Sequence, residues 1–495
     1  MKVHLTPQAL SICLAVGAIA LVQPGPLCAA SSEPEPSDKV LYWNGVANNC
    51  AKIDHRIATA DDTPDSVGEQ FGPTRTGRAM AIVHIAIFDA VNAIDRSYRS
   101  YLPTAAAPAN TSMDAAIAQA GHDSVVALWP HQAAVVDQYL KQQLDQIPDG
   151  EAKTNGIAVG KTAARDILVA RANDGSTLDA RGNQPPYTYG LMPGEWRPDP
   201  NHPTATPLTP DWGKVKPFAI SSSVEFRAPP PPPMNSREYT EAFNEVKSLG
   251  GDGMTTPTIR TPDQTIAGLF WGYDAQPGLC APVRFYNQIA QVIALQQHNS
   301  VVENARLFAL VNIAMGDAGI AVWDTKFYYS FWRPITGIRE ADQGTGLSGL
   351  GDGNPETLGD PNWQPVGAPA DNGNGQNFTP PFPAYTSGHA GIGGALFQVL
   401  RRFYGRDNIT FTIVSDEFNT LTTDQTGTIR PLVPRTYPSF SAAEEENGQS
   451  RIYLGIHWGF DKVTGIRQGN QIADRVFDRL LTVAEWPSLT LKHAK

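Results

Sequence analysis

The stretch PFPAYTSGHAGIGGA, residues 381–395, combines a helix start with a high density of glycine. Thr386 or Ser387 is a suitable N-cap, because a hydroxyl group can accept a hydrogen bond from the first helical turn. That turn carries Gly388 and His389, so its free backbone N–H groups and the positive end of the helix dipole could hold an oxyanion. A tightly packed helix of small residues explains the same pattern equally well.

A cluster of cations precedes this stretch in WDTKFYYSFWRP, residues 323–334. Lys326 falls near the predicted end of a helix, and Arg333 falls just before the stop at Pro334. The two cations could converge on one anion. Alternatively, they could cap the C-terminus of the helix, where positive charge is favoured.

A third cluster follows in SRIYLGIHWGFD, residues 450–461. Ser441 and Glu444 predict the start of a helix that carries Arg451 on its last turn. His457 then falls in a short connection to the next helix, which Asp461 could cap while also orienting His457.

Together the three clusters supply the donors that an oxyanion requires. Two guanidinium groups, an ammonium group, a hydroxyl and a glycine N–H can neutralise a tetrahedral or trigonal-bipyramidal anion. Two histidines add an axial ligand or nucleophile and an acid–base group. These residues are Lys326, Arg333, Ser387, Gly388, His389, Arg451 and His457.

The pattern K-x6-RP, SGH and SR-x5-H-x3-D resembles that of the vanadium-dependent haloperoxidases and the type 2 phosphatidic acid phosphatases, which include bacterial acid phosphatases. The chain departs from the family pattern at Thr386, where the family has proline before SGH. This departure changes the turn but removes no donor. The resemblance implies an all-α fold of two helical bundles with long Pro/Gly-rich loops.

For a haloperoxidase, the resemblance implies vanadate as cofactor, with hydrogen peroxide and halide as reactants. His457 is then the axial ligand of the metal, and His389 is the acid–base group. Lys326 polarises peroxide toward attack by halide. The oxygens of vanadate are held by Lys326, Arg333, Ser387, the Gly388 N–H and Arg451.

For a phosphatase, the resemblance implies a phosphohistidine intermediate. His457 attacks phosphorus, Asp461 orients it, and His389 protonates the leaving group. A non-catalytic phosphate- or vanadate-binding protein is a third hypothesis, which the intact histidines oppose.

Two features favour the haloperoxidase. The part of the chain before Lys326 and the gap from His389 to Ser450 are both long for an acid phosphatase of this pattern. Phe382 and Trp323 also match aromatic residues of the halide site by resemblance, although either could be an ordinary core residue. Bromide, and possibly chloride, is the expected substrate, and the sequence leaves the organic acceptor open.

The composition is that of a globular protein, with 41% hydrophobic and 18% charged residues among 495. A net charge of -11 argues against nucleic acid or an anionic membrane as the main partner.

The start of the chain, with Lys2 and an apolar run over residues 9–22, predicts a signal peptide cleaved near Ala30, hence a secreted or periplasmic protein. An uncleaved anchor is the alternative. Since no later segment looks apolar and long enough, we expect no membrane insertion of the mature chain.

Cleavage would leave two cysteines, Cys50 and Cys280. They could form one disulfide or remain two buried thiols, and no zinc-like spacing occurs.

Helical periodicity predicts helices over 74–98, 113–129, 131–146, 151–173, 283–297 and 301–331, with others starting near Asn235, Ser387, Ser441 and Asp461. Glu238 and Glu303 are placed for capping boxes. We expect an N-terminal helical half over 31–234 and a C-terminal bundle over 235–495 that carries the oxyanion site. The long loops 174–234 and 340–385 should shape the entrance to that site.

Overall fold

The computed structural model describes residues 38–60, 62–63, 66–177, 187–373 and 375–484. The predicted signal peptide, residues 1–30, and part of the predicted loop 174–234 lie outside the described residues.

The described residues are mostly helical, as the sequence predicts. One short antiparallel hairpin pairs β1 (Phe411–Val414) with β2 (Pro434–Tyr437). The α-helices are α1 Lys39–Asp54, α2 Gly72–Asp95, α3 Met113–Leu128, α4 Ala133–Asp145, α5 Glu151–Arg171, α6 Arg237–Leu249, α7 Pro262–Phe270, α8 Pro282–Gln296, α9 Val301–Tyr329, α10 Pro334–Arg339, α11 Gly388–Tyr404, α12 Phe440–Tyr453 and α13 Gly459–Arg479. The predicted segments match α2 to α5, α8 and α9 to within a few residues, whereas α1, α7 and α10 were not predicted.

The helix starts agree with the sequence in part. Ser300 and Glu303 form the predicted capping box of α9, and Ser387 is the N-cap of α11. The predicted capping box at Glu238 was wrong, because Ser236 caps α6 and its third residue is Tyr239.

Two further caps were also predicted wrongly. Ser439 rather than Ser441 caps α12. Asp461 is not the N-cap of α13 but its third residue, and its carboxylate accepts the backbone N–H of Trp458. In α12, two neighbouring serines offer competing caps and only the path of the incoming chain selects one. In α13, the chain enters the helix two residues before Asp461, so Trp458 takes the N-cap position.

α9 is the central helix of the core. Its 29 residues are buried on nearly every side, which is expected for a helix that is apolar all round. It packs against α2 from the N-terminal part of the chain and against α11 and α13 from the C-terminal part. Because both parts share this one core, packing does not separate residues 31–234 from 235–495, and that division stays a prediction.

Glycines let α11 and α13 cross closely. A Cβ atom added to Gly469 would lie 2.0 Å from the carbonyl oxygen of Gly391, and one added to Gly391 would lie 2.6 Å from Val322. The helices cannot approach in this way with larger residues. The glycines that follow His389 therefore serve helix packing, which confirms the packing alternative for this stretch, and the oxyanion interpretation stays a prediction.

The prediction that no later segment could cross a membrane was wrong by the criterion of length and composition. α2 and α9 are both long and apolar enough. However, 89% and 94% of their most apolar windows are buried within the fold, which is the environment of core helices.

The two cysteines are not bridged. Both Cys50 and Cys280 are buried thiols without a disulfide, and the Cys280 thiol lies 3.8 Å from Nε2 of His55. Of the two alternatives, the structure selects buried thiols.

Candidate functional site

The fold brings the three sequence clusters together from five places in the chain. These are the end of α9 with Trp323 and Lys326, the N-cap of α10 with Arg333, the start of α11 with Ser387, Gly388 and His389, the last turn of α12 with Arg451, and the connection into α13 with His457 and Asp461. We refer to Lys326, Arg333, Ser387, Gly388, His389, Arg451 and His457 as the oxyanion site. All of these side chains are buried.

Lys326 and Arg333 both bond to the segment that leads into α11. Nζ of Lys326 donates to the carbonyl oxygens of Pro383 and Ala384 at 2.8 and 3.0 Å, and Nε of Arg333 donates to that of Phe382 at 2.9 Å. Lys326 does lie in the last turn of α9, as the capping alternative has it, but these hydrogen bonds of both cations go to the segment before α11. Burial and mutual repulsion hold the pKa of Lys326 well below its ordinary value, and burial lowers the pKa of Arg333 to about 9.

Arg451 is held by a carboxylate that the sequence analysis missed. Its Nη2 lies 2.8 and 2.6 Å from the two carboxylate oxygens of Asp274, and its Nη1 donates to the carbonyl oxygen of Trp271 at 3.4 Å. Asp274 is in a connection between α7 and α8, far from all three clusters in sequence. Its only sequence signal was an acidic residue in a polar turn, which is too common to single out.

His457 is oriented by Asp461, as the sequence predicts. Nδ1 of His457 donates to Oδ2 of Asp461 at 2.8 Å, which assigns the lone pair to Nε2, where Nη1 of Arg333 donates at 2.9 Å. Burial and the nearby cations hold the pKa of His457 well below its ordinary value, so the ring is neutral. Burial raises the pKa of Asp461 to about 7, although Lys326 and Arg333 oppose this shift.

His389 presents the opposite tautomer. Its Nε2 donates to the carbonyl oxygen of Gly272 at 2.7 Å, so the lone pair is on Nδ1. Burial, assisted by repulsion from Arg451, lowers the pKa of His389 to about 4. A neutral imidazole with an available lone pair is suited to accepting a proton.

Thr386 compensates for the departure from the family pattern. Its hydroxyl donates to Oε1 of Gln468 on α13 at 2.8 Å, and Nε2 of Gln468 donates to the hydroxyl of Thr325 on α9 at 3.0 Å. The backbone N–H of Ser387 donates to the carbonyl oxygen of Asp461 at 3.1 Å. Hydrogen bonds therefore tie the oxyanion turn to both neighbouring helices.

An elongated cavity of roughly 550 Å³ opens onto the oxyanion site. Trp323, Phe382, Gly388, His389, Arg451 and His457 are among the residues that line it. The rings of Trp323 and Phe382 lie 4.9 Å apart between centroids, and Nζ of Lys326 lies 5.0 Å from the Phe382 centroid. Segments 202–208 and 375–382 form two of its walls, so both predicted loops shape the entrance.

Unpaired donors indicate what the site can hold. Nη2 of Arg333 and Nε of Arg451 are buried without a hydrogen-bond partner among the described residues. A buried N–H donor without an acceptor lowers the stability of the folded protein, and a bound ligand that accepts its hydrogen bond removes this cost. Beside Lys326, they would hold the oxygens of vanadate or of its phosphate analogue. Nε2 of His457, which here accepts a hydrogen bond from Nη1 of Arg333, is the ring nitrogen that would bind the metal.

Comparison with known proteins identifies the family of the chain. A family model described as the VCPO second helical-bundle domain matches residues 306–485. The vanadium chloroperoxidase of Curvularia inaequalis is 31% identical over 508 residues, which cover 87% of this chain and 80% of that protein. The chain belongs to the vanadium-dependent haloperoxidase family.

Solved structures of haloperoxidases share the fold. A bacterial vanadium-dependent iodoperoxidase has a TM-score of 0.70 at 22% identity, covering 92% of this chain and 100% of that one. Holo- and apo-type structures of bacterial vanadium-dependent chloroperoxidase have TM-scores of 0.62 and 0.61 at 18% identity, covering 90% and 83% of this chain and 95% and 94% of theirs. Since these haloperoxidases are named for different halides, family membership does not select the halide.

We expect Asp274→Asn to destabilise the protein and to increase its response to oxyanions. The substitution leaves Arg451 buried without its counter-charge, which typically costs about 3–5 kcal/mol of stability. A bound oxyanion would supply the missing negative charge beside Arg451, so sulfate should raise the Tm of the variant by more than that of the wild type. Thermal unfolding with and without sulfate measures both effects.

Asp474→Asn is the matched control, because Asp474 pairs with Arg402 at the surface. Its effect should stay below about 1 kcal/mol and should not depend on sulfate. Equal sulfate responses in the wild type and in Asp274→Asn would contradict the assigned role of Asp274.

We expect oxyanion affinity to rise as the pH falls from 7 toward 4. A bound anion favours the protonated form of His389 and raises its pKa from about 4. At pH values between about 4 and the raised pKa of His389, binding of the anion is therefore accompanied by proton uptake. Sulfate is a suitable ligand because it does not titrate in this range. Calorimetric titration in buffers of different ionisation enthalpy measures the uptake.

His389→Gln should reduce this proton uptake, and the remainder would belong to Asp461, whose pKa is also raised. Uptake that is unchanged in His389→Gln would show that His389 does not face the bound anion.

Proposed function

We propose that this chain is a haloperoxidase that holds vanadate in the oxyanion site and oxidises bromide with hydrogen peroxide to hypohalous acid, with chloride as the second candidate halide. The observation that carries the proposal is the buried neutral His457. Its Nδ1 is fixed by Asp461 and its Nε2 lone pair is directed toward Arg333, within a site of unpaired cationic donors. Bound vanadate would supply Lewis acidity toward peroxide without a change in oxidation state.

The residues of the chain have distinct roles in this proposal. His457 would bind the metal through Nε2. Lys326, Arg333 and Arg451, with the Ser387 hydroxyl and the Gly388 N–H, would hold and neutralise the oxygens of the anion.

Proton transfer and activation of peroxide complete these roles. Nδ1 of His389 would accept a proton from the entering hydrogen peroxide, because Nε2 already donates a hydrogen bond to the carbonyl oxygen of Gly272. Lys326 would polarise peroxide toward halide attack.

The aromatic wall supports a halide reaction. Phe382 and Trp323 lie on the cavity side of Lys326, and Cζ of Arg333 lies 4.9 Å from the Phe382 centroid. Chloride and bromide are polarisable and less strongly hydrated than the charged phosphate group of an ester, so apolar rings beside buried cations suit them. A phosphatase would use the same histidines, but nothing in its reaction calls for these rings.

Halogenation of a dione tests the proposal. The purified protein is assayed with hydrogen peroxide and chloride, bromide or iodide, with and without orthovanadate, and hydrolysis of p-nitrophenyl phosphate is followed in parallel. We expect vanadate-dependent halogenation with bromide. His457→Ala should abolish both vanadate binding and turnover, whereas His389→Ala should retain the anion and lose most turnover.

Phosphate-ester hydrolysis without halogenation would instead identify a phosphatase. Oxyanion binding with neither activity would identify a binding protein.

We expect Phe382→His to change the ratio of chloride to bromide turnover. The substitution replaces an apolar ring beside Lys326 with one that can donate a hydrogen bond or carry charge, which alters the environment of the halide. Rates with each halide at saturating peroxide measure the ratio. Phe477→His on α13, distant from the cavity walls, is the control. An unchanged ratio in Phe382→His would make Phe382 a core residue only.

A further inference from the structure

One peptide group in the connection between α7 and α8 is hydrogen-bonded on both sides. It joins Gly272 to Tyr273. Its carbonyl oxygen accepts a hydrogen bond from Nε2 of His389 at 2.7 Å, and its N–H donates to Oε1 of Glu417 at 2.9 Å. The carboxyl group of Glu417 is therefore linked to the imidazole of His389 through a single peptide unit.

The geometry of a peptide group couples these two hydrogen bonds. The group is planar and trans, so its N–H and C=O bonds have nearly opposite directions and a rotation of the group moves both. An acceptor that fixes the N–H therefore fixes the direction of the carbonyl oxygen. An acceptor at the N–H also polarises the peptide, which makes the carbonyl oxygen a stronger acceptor. Glu417 thus orients and strengthens the acceptor that His389 uses.

The fold holds Glu417 firmly against this connection. Its side chain is fully buried, in the short 3₁₀ turn Asp416–Phe418. The Ser415 hydroxyl at the start of the turn donates to the carbonyl oxygen of Phe270 at 2.7 Å. The backbone N–H of Asp416 donates to the hydroxyl oxygen of Tyr273 at 2.8 Å. Hydrogen bonds on both sides of the Gly272–Tyr273 peptide therefore fix the turn that carries Glu417.

The absence of a side chain at Gly272 permits the close approach of Glu417. A Cβ atom added to Gly272 would lie 2.0 Å from Oε1 of Glu417, which is much closer than two such atoms can pack. Any other residue at position 272 would therefore displace either the carboxyl group or the peptide. Residue 272 and residue 417 are matched to each other at the point where the link to His389 is formed.

Two charged neighbours surround Glu417. Arg430 forms ion pairs with Glu417 and with Asp371, the latter at 2.6 Å. Burial raises the pKa of Glu417 well above its ordinary value and the Asp371 carboxylate raises it further, whereas Arg430 opposes the shift. In either protonation state one carboxyl oxygen of Glu417 can accept the N–H of Tyr273. The link to His389 therefore does not require a charged Glu417.

We propose that Glu417 is a positioning residue for His389, because it anchors the Gly272–Tyr273 peptide whose carbonyl oxygen keeps the imidazole proton on Nε2. The lone pair of His389 is then held on Nδ1. The inference rests on the proposed function, in which Nδ1 accepts a proton from hydrogen peroxide, and it adds a residue to that function. Glu417 is not part of the cavity lining, so it acts through the peptide and not on the reactants.

The tautomer of His389 tests the proposal without turnover. Vanadate-free protein labelled with ¹⁵N in its histidine rings is studied by long-range ¹H–¹⁵N NMR at pH 7, where His389 is neutral because its pKa is about 4. The resonances that disappear in His389→Gln identify the ring. We expect the wild type to carry the proton on Nε2 alone. A proton on Nδ1 in the wild type would overturn the proposal.

Glu417→Leu removes the acceptor and leaves Arg430 its ion pair with Asp371. The orphaned N–H of Tyr273 should turn toward another acceptor, because a buried donor without a partner is costly. The carbonyl oxygen of Gly272 then turns away from His389. We expect the Nε2 resonance to shift toward the unprotonated range as both tautomers become populated. An unchanged tautomer in this variant would contradict the role of Glu417.

Two further variants separate the link from a general loss of stability. Glu417→Gln keeps an acceptor oxygen and should keep the proton on Nε2. Asp89→Leu is the matched control, because Asp89 is 2% exposed and accepts the backbone N–H groups of Tyr101 and Leu102, neither of which lines the cavity. It should lower the Tm and keep the tautomer. A tautomer change in Asp89→Leu would mean that instability alone explains the effect.

Gly272→Ala provides a second route to the same result if Glu417→Leu does not fold. The added methyl group should displace the Glu417 carboxyl from the peptide while all three charged side chains of this cluster remain present. We expect the same mixture of tautomers as in Glu417→Leu. A proton that stays on Nε2 alone in Gly272→Ala would overturn the proposal.

Turnover of the vanadate-loaded enzyme shows whether the link serves catalysis. In Glu417→Leu we expect kcat for bromide to fall by about tenfold or more, as part of the roughly 10²–10⁴-fold that a positioned acid–base group contributes. Glu417→Gln should recover most of this loss. Sulfate affinity of the vanadate-free protein should change by less than about threefold, because the lost interaction acts on proton transfer and not on anion binding. Lost sulfate affinity with an unchanged tautomer would mean that Glu417 only supports the fold.

The NMR and halogenation measurements fail independently of each other. If the wild type halogenates the dione but the tautomer of His389 does not depend on Glu417, the proposed function stands and this inference fails. If the wild type does not halogenate the dione but the tautomer does depend on Glu417, the link between the two residues stands and the proposed function fails.

Discussion

The structure depends on burying three cationic side chains close together away from water. Lys326, Arg333 and Arg451 are each about 1% exposed or less, and the nearby carboxylates include those of Asp274 and Asp461. Desolvation penalises each charge, and the lowered pKa values of Lys326 and Arg333 reflect this cost. A cluster held in this way is already arranged for an anion, so binding needs little reorganisation.

The helices satisfy this constraint by holding the cations through backbone carbonyl groups. Lys326 and Arg333 bond to the segment before α11, and Arg451 bonds to the connection between α7 and α8. The carbonyl oxygen of Gly272 in that connection also accepts a hydrogen bond from Nε2 of His389. One short segment therefore positions both Arg451 and His389.

The cavity explains why the chain needs its long loops. Helix packing alone would cover the oxyanion site, but segments 202–208 and 375–382 form walls that keep a path open. Their proline-rich composition favours extended backbone with few unsatisfied N–H groups, which suits a wall without regular secondary structure. The same loops supply the apolar lining that distinguishes the outer cavity from the charged inner end.

The sequence by itself determined the helical class, most helix positions and the oxyanion residues, because helical periodicity and the spacing within each cluster are local properties of the chain. It also indicated the pairing of His457 with Asp461, since the two residues are four positions apart in the sequence. Only the tertiary structure decided the partners that are distant in sequence. Asp274 meets Arg451, Gly272 meets His389, and Gln468 meets Thr386 because helix crossing brings separate segments together. The tertiary structure likewise decided that Cys50 and Cys280 stay apart and that Ser439, not Ser441, caps α12, because burial and the path of the chain are set by packing rather than by local pattern.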